Sequence, residues 1–390
     1  MIKNKIDFNI INNENIYVKL KKSFISFLIN IIKKSNTVFD KKVFDQLYRM
    51  SKNHKVSLSF IKFLANSLEI PLEDFEQDLI LITSNKSTDI GIKNPKIPFN
   101  FATKEGVRFT AAIMGDGELN NQFQVRYNNQ DKKLIDIILK SAKKIFGSVD
   151  YKLYYRKDKT YQLHFPKIIG LIVSLFGLKP GYKSLTNYPI PQFIFRLNNR
   201  LKAVFIKQFF NDEGNVRLKD RRLQVKQTIL TTEEKNELKA NCLRYCPNSL
   251  SGLQFLLLSF DINSKISLGN YRKNKADWEL SIYGKENLEK FQKYIDFDLK
   301  YKTELLNKTI KSYKFPSAPR NKRLEFALKK AKEVQSKYSY ITKYLLAKEC
   351  NRSLKTATYY LVDLKKRKLI RCIRRPRKKK GFPLPHIYKI

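Results

Sequence analysis

The sequence predicts an α+β fold in which two αββαββα units follow one another, with a small helical domain before them and a second helical unit after them. Three observations carry this expectation. Two apolar, helix-like runs, AAIMGDGEL at 111–119 and FIKQFFNDEGNV at 205–216, each stop at an acidic residue followed by glycine, Asp116-Gly117 and Glu213-Gly214. The two acids lie 97 positions apart, and the same order of strand and helix patterns follows each. With 390 residues, 42% of them hydrophobic, the chain is long enough for two or three domains and a large core.

In chain order, a domain over 1–95 comes first. Between Asp40 and Asp78, Leu58, Ile61, Leu64, Leu68 and Ile70 suit two small packed helices, with Ser57 or Ser59 as a cap and Pro71 as a break. This segment reads either as a compact helix-turn-helix or as a helical cap on the main core. Residues 84–103, rich in Ser, Asn, Gly and Pro, read as a linker.

The first unit spans 96–198. After Asp116 it offers a strand pair in ELNNQFQVRYNN, a helix in DKKLIDIILKSAKKIFG, a strand pair turning at Lys157-Asp158, and a helix in PKIIGLIVSLFG. The second unit, 199–318, repeats the order with a hairpin at Lys219-Asp220, a helix in NSLSGLQFLLLSFDI, the strand pair ISLGNYRKNKADWELSIYG and the helix KENLEKFQKYI. If the two motif helices pack side by side, their end carboxylates meet, and paired carboxylates on a basic protein suggest metal ions held against phosphodiesters.

The formal charge of +43 and pI near 10.0 point to a polyanionic partner, with nucleic acid foremost. Residues 1–100 hold 16 Lys and Arg against 10 Asp and Glu, a net of +6, which leaves +37 on the remainder. Cys242, Cys246, Cys350 and Cys372 with His54, His164 and His386 form no zinc pattern and read as free intracellular thiols and ordinary histidines. No apolar run is long enough to span a membrane and the start lacks a signal-peptide core. The expected location is the cytoplasm, or an organelle if the gene is organellar.

Motif, spacing and element order over residues 100–315 together resemble the LAGLIDADG homing endonucleases in their single-chain, two-motif form. The resemblance implies a monomer with a pseudo-two-fold axis, whose two curved sheets form a saddle on double-stranded DNA. It implies that Asp116 and Glu213 bind Mg²⁺ or Mn²⁺, with Gly115 and Asp212 just before them as further metal contacts. Glu118 is another acid beside the first motif. The resemblance also implies basic residues near the scissile phosphates, Lys183 in GLKPGYKSL and Lys302 in FDLKYKTEL, and polar residues at the ends of the first strand pairs, Asn128 and Gln227. Arg126, Arg156, Arg217, Arg222 and Lys226 would face DNA from the sheets. The implied product is a staggered double-strand break with 3′ overhangs.

The second motif departs from the family pattern, with Gln208 where a small residue is usual and Glu213 in place of the commoner Asp. A buried amide without partners costs about 1 to 3 kcal/mol, so Gln208 must find a partner or push the helices apart. Intron-splicing maturases and a transcription regulator with a degenerate core share the family, which leaves a non-catalytic reading open. The ends, Met1 and HIYKI, are not those expected of an intein.

The segment 319–390 resembles a winged helix-turn-helix domain. ITKYLLAKECN and SLKTATYYLVDLKKRKLI read as two helices, with Ser353 as a cap and Lys355, Thr356 and Tyr359 near the start of a recognition helix. The last 20 residues hold eight Lys and Arg and no acid. Arg374, Arg375 and Lys378 would meet phosphates or a minor groove there, while Leu384, Ile387 and Ile390 suggest a returning strand.

Overall fold

The two motif helices pack against each other through largely apolar buried faces. A computed structural model describes residues 4–11, 15–35, 39–313, 322–374 and 385–390. The first motif helix, Lys104–Met114, starts where Thr103 accepts a hydrogen bond from the Gly106 N–H at 3.1 Å, and it buries Val107 and Phe109 to Met114. The second, Asn199–Glu213, starts at Asn198, whose side chain accepts from the Leu201 N–H at 3.0 Å, and it buries Phe205, Ile206 and Phe209.

Each motif helix runs directly into a strand that folds back against it. A Cβ on Gly117 would lie 2.5 Å from Ile113 Cα, and one on Gly214 would lie 2.3 Å from the Phe210 carbonyl oxygen. Only glycine fits such an approach, which accounts for the acid-glycine ending of both motifs.

Two four-stranded antiparallel sheets follow, and they share one topology. The first orders its strands Gly117–Leu119, Val125–Asn129, Tyr161–His164, Lys152–Tyr155; the second orders Gly214–Arg217, Arg222–Leu230, Lys275–Tyr283, Ser264–Arg272. In both, the fourth strand in sequence lies between the second and third, so the repeat read from the sequence is also a repeat of fold. The helix Lys132–Phe146 covers the first sheet with Leu134, Ile135, Ile138, Ala142 and Ile145 on one buried stripe. Asn248–Leu258 and Lys285–Tyr294 do the same for the second.

The N-terminal segment differs from the helical domain expected. Its helices Lys22–Lys34, Lys41–Ser51, Leu58–Ser67 and Leu72–Gln77 pack on a five-stranded sheet whose last strand, Ser148–Val149, comes from the first repeat. Ser57 caps the third helix by accepting from the Phe60 N–H at 3.2 Å. The stretch read as a linker is ordered as well. Ile92–Lys93 joins the sheet, Phe99–Asn100 pairs with Lys5–Ile6, and Ile92, Phe99 and Phe101 are fully buried. Strands of two residues are too short to show alternation, so turn-forming composition outweighed them in the sequence. One continuous core runs from Ile6 to Ile310.

A separate core, from Ala327 to Ile370, belongs to the C-terminal segment. Helices Arg323–Tyr338, Lys343–Glu349 and Leu354–Lys366 enclose it, and Arg371–Arg374 pairs with Ile387–Lys389. Ser353 caps the third of these helices through the Thr356 N–H at 3.2 Å. The expected boundary at 318/319, and Leu384, lie outside the described residues.

Candidate active site

At the crossing of the motif helices, Gly115 lies against Asp212, the residue in the same place of the other motif. The Asp212 carboxylate is not turned to solvent. Its Oδ1 accepts from the Tyr127 hydroxyl at 2.6 Å and from Gln208 Nε2 at 2.9 Å, and Gln208 Nε2 also reaches the Tyr127 oxygen at 3.4 Å. Gln208, fully buried, thus has partners for its amide nitrogen, and the helices remain in contact. Burial, joined by the nearby charge of Asp116, pushes the Asp212 carboxyl well above the usual carboxylate range. Its Oδ2 and Gln208 Oε1 are buried without a partner.

The carboxylates of Asp116 and Glu213 open into two pockets. The Asp116 pocket is lined by Asn129, Tyr161, Tyr301 and Lys302; the Glu213 pocket by Lys183, Gln227, Thr228 and Ser249. Each pocket thus combines a carboxylate of one repeat with a lysine of the other. The lysines are anchored on backbone carbonyls rather than on the acids. Lys183 Nζ donates to the Gly115 carbonyl, and Lys302 Nζ donates to those of Asn211, Gly214 and Phe210 at 2.6, 2.7 and 3.2 Å.

Electrostatics couples the four groups. Burial raises both motif carboxyls above their ordinary values, against the pull of Lys183 and Lys302, and the charge of Asp116 raises Glu213 further. Burial likewise lowers both lysines, against the attraction of the acids. Among the described residues, neither motif carboxylate forms an ion pair, and Asn129 Nδ2 at 2.7 Å is the one side-chain donor to Asp116.

The model of the LAGLIDADG-like domain matches residues 200–296, from the second motif helix to the helix that closes the second sheet. The chain therefore contains a LAGLIDADG-like domain. It is 31% identical over 266 residues to a probable translation initiation factor IF-2 of Methanocaldococcus jannaschii, which covers 65% of this chain and 20% of that protein. It is 25% identical over 276 residues to the glutamine–fructose-6-phosphate aminotransferase of the same organism, covering 66% and 22%. The chain thus spans about a fifth of the length of these curated relatives. Among solved structures, mesophilic variants of the homing endonuclease I-DmoI align over 53% of this chain and 99% of that one at 17% identity and a TM-score of 0.36. Full-length DUF199/WhiA from Thermatoga maritima aligns over 68% and 91% at 14% identity and 0.34.

Strand register sets which amide accompanies each motif acid. Gly117 pairs with Tyr127 and Gly214 with Val225, so Asn129 and Gln227 are equivalent, each two residues further on. Asn128, expected at this place, points to the other face of the sheet, where it accepts from Gln162 Nε2 at 2.8 Å. The two halves are unequal here: Gln227 accepts from the Ser249 hydroxyl, whereas Asn129 donates to its acid.

Sequence reasoning missed Asp298. Its Oδ2 accepts from Asn211 Nδ2 at 2.9 Å and Arg108 at 3.2 Å, its N–H donates to Asn211 Oδ1 at 3.0 Å, and its carbonyl accepts from Lys133 at 2.6 Å. It thereby ties both motif helices to the start of the helix Lys300–Lys311, which presents Lys302. Nothing in FDLKYKTEL distinguished this acid from a solvated one.

The sheet cations expected to face DNA are placed as follows. Arg126 donates to Gln124 Oε1 at 2.9 Å, and Arg156 sits exposed at a hairpin tip. Arg217 pairs with Asp220 at 2.9 Å, while Arg222 and Lys226 flank Glu279 at 3.3 and 2.8 Å. Three of the second sheet's cations are thus partly neutralised within the protein. In the C-terminal segment Lys355, Tyr359 and Arg374 are exposed, and Thr356 is engaged with Ser353. Arg375 and Lys378 lie outside the described residues.

The donor set fits a hard divalent cation. Asp116 and Glu213 supply oxygen and sit beside backbone carbonyls, with Lys183 and Lys302 near them but in no ion pair among the described residues. Among the described residues no group of three or more His, Cys, Asp or Glu is assembled. A cation here would therefore be held by one or two carboxylates together with water and phosphate, as is usual for Mg²⁺. Asp212, expected as a metal contact, lines the Asp116 pocket with Oδ1 engaged by Tyr127 and Gln208 and Oδ2 buried without a partner, and the Gly115 carbonyl accepts from Lys183.

Proposed function

We propose that this protein is a site-specific, divalent-metal-dependent DNA endonuclease that acts as a monomer on double-stranded DNA. The crossed pockets carry the reading: two carboxylates on opposite sides of one helix pair, each with a lysine and an amide, suit one phosphodiester on each strand. When bound, Mg²⁺ or Mn²⁺ would supply Lewis acidity at a phosphate oxygen. Asp116 and Glu213 would hold the cation, and Asn129 would orient Asp116. Lys302 and Lys183, fixed on carbonyls, place positive charge where negative charge grows in the transition state. The open sheet faces and the C-terminal helices, on a chain of charge +43, would hold the duplex.

The relatives are compatible with an independent module. Two matches that each span about two thirds of the chain must share part of it, and their names describe unrelated activities. A segment that recurs in proteins of unrelated name supports the reading of an independent module.

A second reading is a DNA-binding regulator or maturase without catalysis. It is favoured by the proximity of Lys183 and Lys302, whose charges already offset the acids without a metal. Incubation with a library of DNA duplexes and Mg²⁺, followed by sequencing of the ends, separates the two. Discrete double-strand cuts that vanish with chelator, and in Asp116→Asn or Glu213→Gln while DNA binding persists, are expected. Binding without cuts would favour the second reading.

A further inference from the structure

The two sheets carry different chemistry at one equivalent step of their open faces. Strand pairing makes Tyr127 of the first sheet equivalent to Val225 of the second, since each lies opposite the glycine of its motif, Gly117 or Gly214. One residue further on, Asn128 lies opposite Gln162, and Lys226 opposite Glu279. Side chains alternate along a strand, so these four stand on the face away from the buried Tyr127, Leu163, Val225 and Leu280. In the first sheet the step is an uncharged pair of amides, Gln162 Nε2 donating to Asn128 Oδ1 at 2.8 Å. In the second it is charged. Glu279 Oε1 meets Lys226 Nζ at 2.8 Å, and its Oε2 meets Arg222 at 3.3 Å.

An acid on a face that meets a polyanion weakens the general attraction. What Glu279 supplies instead is direction, because the flexible stem of a lysine otherwise carries its charge to whichever phosphate is near. The groups left over at the two steps also differ. Among the described bonds Asn128 keeps its amide nitrogen and Gln162 its oxygen, one donor and one acceptor, which match N7 and the N6 amino group of adenine in the major groove. Lys226 offers donors alone, which match O6 and N7 of guanine.

We propose that this step determines base specificity: Asn128 with Gln162 selects an A·T pair in one half of the target, and Lys226, aimed by Glu279, selects a G·C pair in the other. The two repeats are copies in fold but not in what they read. The proposal rests on the duplex-binding part of the reading above and not on cleavage.

Selection from a library of random DNA duplexes by the full chain, with sequencing of the bound fraction, tests it. Transplanting the first sheet's pair into the second, Lys226→Asn with Glu279→Gln, removes one positive and one negative charge, so the net charge and the salt dependence of binding should stay as in the parent. Its selected site should differ from the parent's at one step, A in place of G, and its affinity for the parent site should fall about tenfold, the discrimination that one such base contact gives. Glu279→Gln alone, which frees Lys226 and adds one net positive charge, should bind random duplexes more tightly and narrow their gap to the selected site. A transplanted variant that selects the parent's site unchanged, or Glu279→Gln with an unaltered gap, would overturn the proposal while leaving the duplex reading in place. A parent chain that selects no site at all would overturn both.

Discussion

Gly115 and Asp212 touch across the motif helix pair, where a methyl group added to Gly115 would lie 2.6 Å from Asp212 Oδ2 and 2.8 Å from its Cβ. The two residues hold the same place in their motifs, one step before the motif acid. A bulky side chain at this place in one repeat is accommodated only because the other repeat has none.

Gly115→Ala should therefore destabilise the protein by about 1 to 3 kcal/mol through overpacking, read as a shift in the chemical denaturation midpoint. Because Asp212→Gly also leaves Tyr127 and Gln208 without their acceptor, the check is the coupling: Gly115→Ala should cost less in an Asp212→Gly background than in the parent chain. An equal cost in both would show that this contact does not set the helix separation.

The two lysines should not be equivalent. Lys302 is buried and serves three carbonyls, whereas Lys183 serves one among the described bonds. Lys302→Met should lose about 2 kcal/mol or more, because charged hydrogen bonds are lost and buried carbonyls are left unpaired; Lys183→Met should lose less. On a supercoiled plasmid carrying the target, each variant should yield nicked circles, cut on one strand only. Linear product at the parent rate from either would remove the assigned role.

Glu76 supplies a pH dependence remote from the site. It is 8% exposed, accepts from the Phe8 N–H at 2.6 Å, and burial, with the charges of Asp7 and Glu73, raises it from 4.5 to about 7 against that hydrogen bond. A carboxyl raised on folding contributes stability that is full below its unfolded value and lost as pH rises through the folded one. Stability should thus fall between pH 4.5 and about 7, by at most about 3 kcal/mol. Glu76→Gln keeps an acceptor for Phe8 without the charge. Its melting temperature should be flatter over that range and higher than the parent's at pH 8.

A chain ending near Pro319 should still cut at low salt but bind more weakly as salt rises. If the C-terminal segment neutralises about four phosphates, the slope of log K against log salt becomes shallower by about 3.6, at roughly 0.9 per phosphate. An unchanged slope would mean that the segment does not touch DNA.

Both repeats were legible because their patterns are long: a 3.6-residue stripe such as Leu134–Ile138–Ala142, or the alternation in Ala276–Trp278–Leu280–Ile282, persists for several turns or pairs. The fold-back glycines were legible too, since only glycine tolerates them. Short pieces were not. Ile92–Lys93 and Ser148–Val149 gain their stability from partners about fifty residues away, and no local pattern records that. In the site, one step of register separated Asn128 from Asn129. The Asp298 hub escaped because its partners, Arg108 and Asn211, lie 190 and 87 positions distant. Gln208, the residue that broke the family pattern, announced a hydrogen-bond network but not its members.

Because each pocket is lined by a carboxylate of one repeat and a lysine of the other, neither repeat alone holds all the residues of either pocket. The chain behaves as a heterodimer whose subunits share one backbone, and the connection through 196–198 keeps their mutual concentration high without any need for tight association. Severed there, the halves would have to find each other before either pocket could form. A chimera that exchanged one repeat for a relative's would inherit a mismatched lysine in both pockets at once, so the two halves are bound to change together.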